Sequence, residues 1–420
     1  MRPVLVPAVL VLAFVLPGCT LGTGGSSPGA FQPQPRNPWP IPAPPAKLPE
    51  VTPELVKEAI KSGVERLVAM QEGDPRSEWP YEGVYRVAGL IPMGYRIGGT
   101  AIVVQALANA PGYDEDVPRR QAIDRAVAFI CENRNHATMS IDDYAGGYDV
   151  RGWGYIEAIS CLCRLKSLGR MPGERAGEAE LALAWYLDAL QRIEIPQAGG
   201  WNYARAARDQ KAAPSPFMTV RALQALFDAQ AAGLGVNAEV VSRGLDVLEK
   251  ARAASGAVIY SGAADGRTPR RSDGTPGAIG RMTSAETTLL LGGRGRERDV
   301  RASVDAFLAN WQWLDQRRAK PGTHEGPYAI APYYFMFAHL YAAQAAERLS
   351  ASERAEYRRR VREILFLSRN EDGTWNDRVF LRSSAYGTAM ALLALMQEDI
   401  KPTEWSPPVE KQPAAGAPGT

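Results

Sequence analysis

Histidine and cysteine are scarce in this chain, with three His and four Cys in 420 residues. His136, His324 and His339 make no pairing with each other or with Cys at ligand spacing, so neither zinc nor any other metal or cofactor is expected. Cys19 falls at the end of a leader. That leaves Cys131, Cys161 and Cys163, an odd set that cannot all pair internally. Cys161 and Cys163 occupy different faces of one apolar helical stretch and read as small buried residues. A surplus of one charge is also missing. The formal net charge is +2, or about +1 once Arg2 leaves with the leader, and no basic stripe emerges. Nucleic acid is therefore not an expected partner.

What is present begins with an address. Arg2 precedes an apolar run from Val4 to Leu16, of signal-peptide length and too short to span a bilayer. Leu16-Pro17-Gly18-Cys19 follows and resembles a bacterial lipobox. That resemblance implies a leader over 1–18, lipidation at Cys19, and an exported protein anchored to a membrane of the cell envelope. Residues 19–50 are rich in Gly, Ser and Pro and read as an extended tether. Residues 400–420 have a similar composition and read as a disordered tail. The helical body is expected over 51–399.

The body repeats itself. Six segments each carry an amphipathic helix, a loop with Gly and an aromatic residue, then a second helix opening with Thr or Ser and rich in Ala and Leu. The sixth is clearest: a helix over Arg354–Arg369, Asp372-Gly373-Thr374-Trp375, then an apolar helix from Ser383 to Leu395. The third has Leu187 and Gln191, Gly200-Trp201-Asn202-Tyr203, then Thr219 to Leu226. The first has Leu67, Gln71, Trp79 and Tyr81 before Gly99–Leu107, and the fourth places Tyr260 before Thr283–Leu291. The second pairs Ala122–Arg134 with Gly152–Leu168, and the fifth pairs Val300–Trp313 with Tyr333–Leu349.

The two helix types dictate the architecture. A helix with one polar face can meet water, whereas one apolar nearly all round must be covered on most sides. Six such pairs meet both demands by closing into a ring. The expected fold is all-α, an (α/α)6 toroid with apolar helices inside. Its Gly-aromatic loops and the positive ends of the inner helices gather at one rim.

These residues carry a family resemblance. Leu365-x3-Arg369-x3-Gly373-x-Trp375 resembles the QW repeat of squalene cyclases, with Arg where Gln is usual. Gly200-Trp201-Asn202-Tyr203 and the helix at Thr219–Leu226 look like prenyltransferase and squalene oxidase repeats. The stretch from Pro332 to Ala345 resembles an exported bacterial subgroup of such proteins. The resemblance implies the toroid, but its chemistry transfers poorly. Cyclases protonate an alkene with an Asp-x-Asp-Asp motif, and the nearest match, Ser140-Ile141-Asp142-Asp143, lacks the first carboxylate. The zinc-binding Asp-x-Cys pair of protein prenyltransferases is absent.

Glycan-active toroids use paired carboxylates, or a Tyr or His base beside Arg. Candidates are Asp149, Glu157, Glu286, His324, Glu325, Tyr333 and Tyr334. Asp142, Asp143 and Glu325 are the candidate catalytic acids. Trp153, Tyr155, Trp201, Tyr203, His324, Tyr333, Tyr334 and Trp375 are the candidate binding residues. The aromatic ones among them either plug joints between repeats or form a stacking platform at the rim. Two readings follow. One is a non-catalytic toroid holding an isoprenoid, a glycan or a partner segment. The other is an enzyme acting on an isoprenoid or a glycan.

Overall fold

The computed structural model describes residues 40, 42–43, 47–86, 89–141, 150–202 and 213–407. Cys19, Asp142, Asp143, Asp149 and Tyr203 lie outside the described residues. The helical body falls within 41–420. Among the described residues there are twelve α-helices and no strand, only isolated bridges. None of these helices is long and apolar enough to cross a membrane.

The odd-numbered helices form the outer layer: α1 (Pro53–Ala69), α3 (Val117–Glu132), α5 (Ala176–Arg192), α7 (Ala238–Lys250), α9 (Glu297–Asp315) and α11 (Ala351–Leu367). In α1, Thr52 accepts a cap hydrogen bond from the Leu55 N–H at 3.2 Å, and Pro53 takes the first turn, where no N–H is needed. Its buried residues, Val56, Ala59, Gly63, Val64 and Leu67, fall on one side of the helix and form one stripe.

The even-numbered helices form the inner layer: α2 (Met93–Asn109), α4 (Arg151–Ser167), α6 (Pro216–Ala231), α8 (Thr275–Leu291), α10 (Tyr334–Ala346) and α12 (Ser384–Leu395). Every residue of α10 and of α12 is buried. Each inner helix packs on the next, and α12 returns to pack on α2, so the ring is closed. The seam adds polar ties. Arg369 donates to Glu58 and to Ser62, at 3.1 and 3.0 Å, and the Ser383 hydroxyl donates to the Glu82 carbonyl at 2.7 Å.

The repeat grammar has a definite structural meaning. Trp79, Trp201 and Trp375 are all buried at the joint between an outer and an inner helix. Their indole N–H groups donate to the carbonyls of Leu67, Leu190 and Leu365, at 2.7, 2.8 and 3.1 Å. Their backbone N–H groups donate to the hydroxyls of Thr100, Thr219 and Thr388, at 2.9, 3.1 and 3.1 Å. In the first and third repeats the Thr does not open the inner helix, which starts earlier, at Met93 and Pro216; in the sixth the helix opens at Ser384, as expected from the sequence, and in all three the Thr sits deeper to receive the loop. Gly387 explains how close that approach is. A Cβ there would stand 2.4 Å from the Trp375 carbonyl oxygen.

The chain after α12 is held over its first residues, within the segment expected to be a free tail. Ile400 is buried, and the Trp405 ring lies 5.8 Å from Phe227 while its backbone N–H donates to Leu291 at 2.9 Å. The Thr403 hydroxyl donates to Asp228 at 2.5 Å, and Gln230 makes paired hydrogen bonds with the Ser406 backbone at 2.6 and 3.0 Å. Residues 400–407 thus strap the end of the barrel opposite the Gly-aromatic loops.

Candidate functional site

The rim where the inner helices begin holds a cavity of about 150 Å³ walled by aromatic rings. The third residues of α2, α4 and α12, Tyr95, Trp153 and Tyr386, and the second of α6, Phe217, face it. Tyr333 enters from the residue before α10. Tyr81 and Tyr85 come from the α1–α2 loop, Tyr260 from the α7–α8 loop, and Arg378 from the loop before α12.

The rings form two banks. Tyr81 is the hub of one, 5.3 Å from Tyr95, 5.7 Å from Trp153 and 4.5 Å from Tyr386. In the other, Phe217 stands 5.6 Å from Tyr333 and 5.4 Å from Tyr334. Edge-to-face and tilted pairs of this kind each add roughly 0.5–1.5 kcal/mol beyond their burial.

His324 supplies the polar centre of the second bank. Its Nδ1 lies 2.9 Å from the Ala329 carbonyl, which can only accept, so Nδ1 carries the proton. Nε2 then offers its lone pair 3.2 Å from the Tyr333 hydroxyl and 3.3 Å from the Tyr260 hydroxyl. Burial pushes the imidazole below its ordinary range, and the nearby Arg281 charge adds to this. The Ala329 hydrogen bond opposes both without reversing them. His324 is therefore neutral at pH 7. Arg281 is buried beneath it, spending its guanidinium on the carbonyls of Val258 and Ser272 at 3.0 and 2.5 Å.

The residues singled out in the sequence divide clearly. Trp153, His324 and Tyr333 line the cavity. Tyr334 is buried in the wall, 4.7 Å from Tyr333, and burial pushes its hydroxyl up to about 12. Tyr155 donates its hydroxyl to the Met139 carbonyl and packs 5.6 Å from Trp185, in the core. Trp201 and Trp375 are the joint residues described above. Glu325 is exposed and ion-paired to Arg317 at 2.9 Å, outside the cavity lining. Glu286 is held by Arg252 through two bonds of 2.7 and 2.6 Å.

The sequence reading missed Tyr95, Phe217, Tyr386 and Arg378. An available signal was the aromatic residue recurring in the first turn of successive inner helices. Cys131, Cys161 and Cys163 are buried free thiols, and burial pushes Cys131 up to about 12, so it stays protonated and unreactive. No group of three or more potential metal ligands occurs among the described residues.

One helical turn beyond Trp153 and Phe217, the neighbouring inner helices α4 and α6 are joined by an ion pair. Glu157 receives Arg221 in a bidentate grip, one arm at 2.9 Å, and Arg221 also donates to the Tyr341 hydroxyl at 3.3 Å. Burial alone would lower Arg221, but the Glu157 charge more than offsets it. Arg221 and Tyr341 line a second cavity, of about 330 Å³, at the strapped end.

Asp377, immediately before Arg378, is wholly buried. Neither of its carboxylate oxygens reaches a donor at hydrogen-bond geometry. Burial pushes its carboxyl up to about 7, although Arg378 and the backbone N–H groups of Asp377 and Met336 favour the charged form.

Comparison with known proteins places this geometry in a fold class. No family model and no curated sequence matches the chain. Solved structures do. The cellobiose 2-epimerase of Spirochaeta thermophila is 13% identical, with a TM-score of 0.50 over 84% of this chain and 99% of that one. The GH76 α-mannanase BT2949 of Bacteroides thetaiotaomicron is 8% identical, with a TM-score of 0.50 over 81% and 95%. The type II terpene cyclase MstE of Scytonema, at 14% identity, reaches 0.46 over 82% and 98%. The fold shared is the all-α (α/α)6 toroid.

Proposed function

We propose that this protein is a membrane-tethered toroid, anchored in the cell envelope through Cys19, that binds a glycan in its aromatic rim cavity and performs no chemistry on it. The observation that carries this reading is the lining itself. Aromatic faces alternate with phenolic, imidazole and guanidinium edges, and no carboxylate lines the cavity among the described residues. Such faces stack on the C–H surface of a sugar ring, while the edges reach its hydroxyls. An isoprenoid fits less well. A hydrocarbon offers nothing to the phenolic, imidazole and guanidinium edges of the lining.

Titration calorimetry of the soluble body with cellobiose, mannobiose and chitobiose tests this. At least one binds, and Trp153→Ala weakens it roughly tenfold or more, the expected loss of a stacking anchor. Retention of a polyprenyl lipid with no disaccharide binding would overturn it. The tether has its own measurement. Cys19→Ala moves the protein from the membrane fraction to the soluble one; an unchanged distribution refutes lipid anchoring.

One observation favours an enzyme instead. The unprotonated Nε2 of His324, flanked by two tyrosyl hydroxyls, is a ready general base. Turnover of a bound disaccharide that His324→Asn abolishes would establish that reading in place of simple binding.

A further inference from the structure

The strapped end of the barrel carries a separate chemistry. Its cavity, about 330 Å³, lies within the range of small-molecule sites. Its polar wall comes from later turns of the same inner helices: Gln224 and Asp228 on α6, Arg164 on α4, Gln344 on α10. Gln224 is fixed by Thr288 and Gln344, at 3.0 and 2.9 Å, and this part of the wall needs nothing further.

Two groups do. Arg164 is part-buried and its guanidinium makes no hydrogen bond or close ion pair with any described residue. Burial lowers its proton affinity, and its charged neighbour Asp228 already accepts from Thr403. Gln397 is 6% exposed and donates Nε2 to the Leu393 carbonyl at 3.1 Å, leaving Oε1 buried without a donor. Arg164 is thus a charged donor on the cavity wall, free to pair with an acidic ligand group in charge-assisted hydrogen bonds.

The charges agree in sign. Arg221 is neutralised by Glu157, which leaves Arg164, Lys166 and Lys401 lining the cavity against Asp228. The helix C-termini at this end add partial negative charge and carbonyl acceptors, which suit hydroxyl donors and disfavour a bare anion. The combination calls for one acidic group among several hydroxyls. Lys166 and Lys401 are exposed and mark the mouth, and Lys401–Thr403 of the strap form one side of it.

We propose that this cavity is a second ligand site, which takes a small hydroxylated organic anion whose acidic group pairs with Arg164 and whose hydroxyls meet the amide and carbonyl acceptors of the wall. Carboxylate and phosphate share this chemistry. Calorimetry on the Trp153→Ala protein, in which the rim site is weakened, tests it with D-glucuronate, glucose 6-phosphate and glucose. One of the two anions binds, and the tighter of them identifies the acidic group. Glucose binds at least tenfold more weakly. Arg164→Met weakens the anion by roughly tenfold or more, as expected for a lost charged hydrogen bond. Arg164→Lys, which keeps the charge and loses the planar fork, gives a smaller loss and serves if the Met variant melts early. The site is refuted if neither anion binds, if glucose binds as tightly, or if both Arg164 variants bind like the parent. None of these outcomes bears on the rim cavity, which is read with disaccharides on the unaltered chain.

Discussion

The two ends of the barrel are built from the same inner helices and carry opposite chemistries. At the end where the helices begin, first-turn residues are aromatic and the only charged side chain facing the cavity among the described residues is Arg378. At the end where they finish, the lining is amide, hydroxyl and ionic. The change takes one turn: Trp153 gives way to Glu157 on α4, and Phe217 to Arg221 on α6. A helix with a uniformly buried surface can thus serve two sites, provided its few polar residues share one stripe and their charges are matched across the ring.

The largest effect should come from breaking the Glu157–Arg221 pair, where the chemistry changes. Arg221→Met leaves Glu157 buried and unpaired, and should cost about 3–5 kcal/mol in urea denaturation. Replacing both partners with Met should recover much of that loss. A cost below about 1 kcal/mol for the single variant would mean that Glu157 is not left buried and unpaired.

A smaller effect is set by pH. Asp377, near the rim, has its carboxyl raised to about 7 from an ordinary 3.8, so the folded state holds the proton more tightly than the unfolded chain. Stability is then full below about pH 4 and declines as pH rises through about 7. His324 and His339 act the other way. Burial lowers both, His339 to about 4, so their contribution is present above 6.5 and is lost as pH falls. The two trends share the window between about pH 4 and 7 and partly cancel there. Asp377→Asn should remove the opposing term, so the fall in melting temperature below about pH 6.5 becomes steeper. An unchanged profile between about pH 4 and 7 would show that Asp377 is ionised in the folded protein at no cost.

The smallest effect concerns the strap. Trp405→Ala removes a half-buried ring from Phe227 and should cost about 1 kcal/mol. It should raise hydrogen exchange over residues 400–407 and leave the rim loops unaltered. Equal loosening at both ends would contradict the independence of the two cavities.

Much of the fold was legible in the sequence. Alternating one-faced and all-round apolar helices dictate a two-layered closed ring, and the six Gly-aromatic loops fix the count. Helix starts were less legible, because Thr100, Thr219 and Thr388 resemble caps while serving as acceptors inside their helices. The site was legible in part. Trp153, His324 and Tyr333 stood out, but attention to the loop motif drew in Trp201 and Trp375, whose rings are spent on the joints. Glu325 looked like a rim acid, and only its pairing with Arg317 shows where it points. The second cavity was hidden because Arg221, Gln224 and Asp228 are diluted among apolar neighbours. Read at spacings of three and seven, they form a polar seam down a helix that is apolar on average.

The seam of the ring also sets an order of events. Gly63 of α1 is covered by the Leu392 side chain of α12, and Glu58 waits for Arg369, 311 residues downstream. During synthesis the first hairpin leaves the ribosome with one flank bare, and nothing in the following four repeats can cover it. Neighbouring hairpins can stack as they appear, but the circle locks only when the sixth arrives. A chain stopped short of α12 is therefore an open arc with two sticky ends, prone to join other arcs.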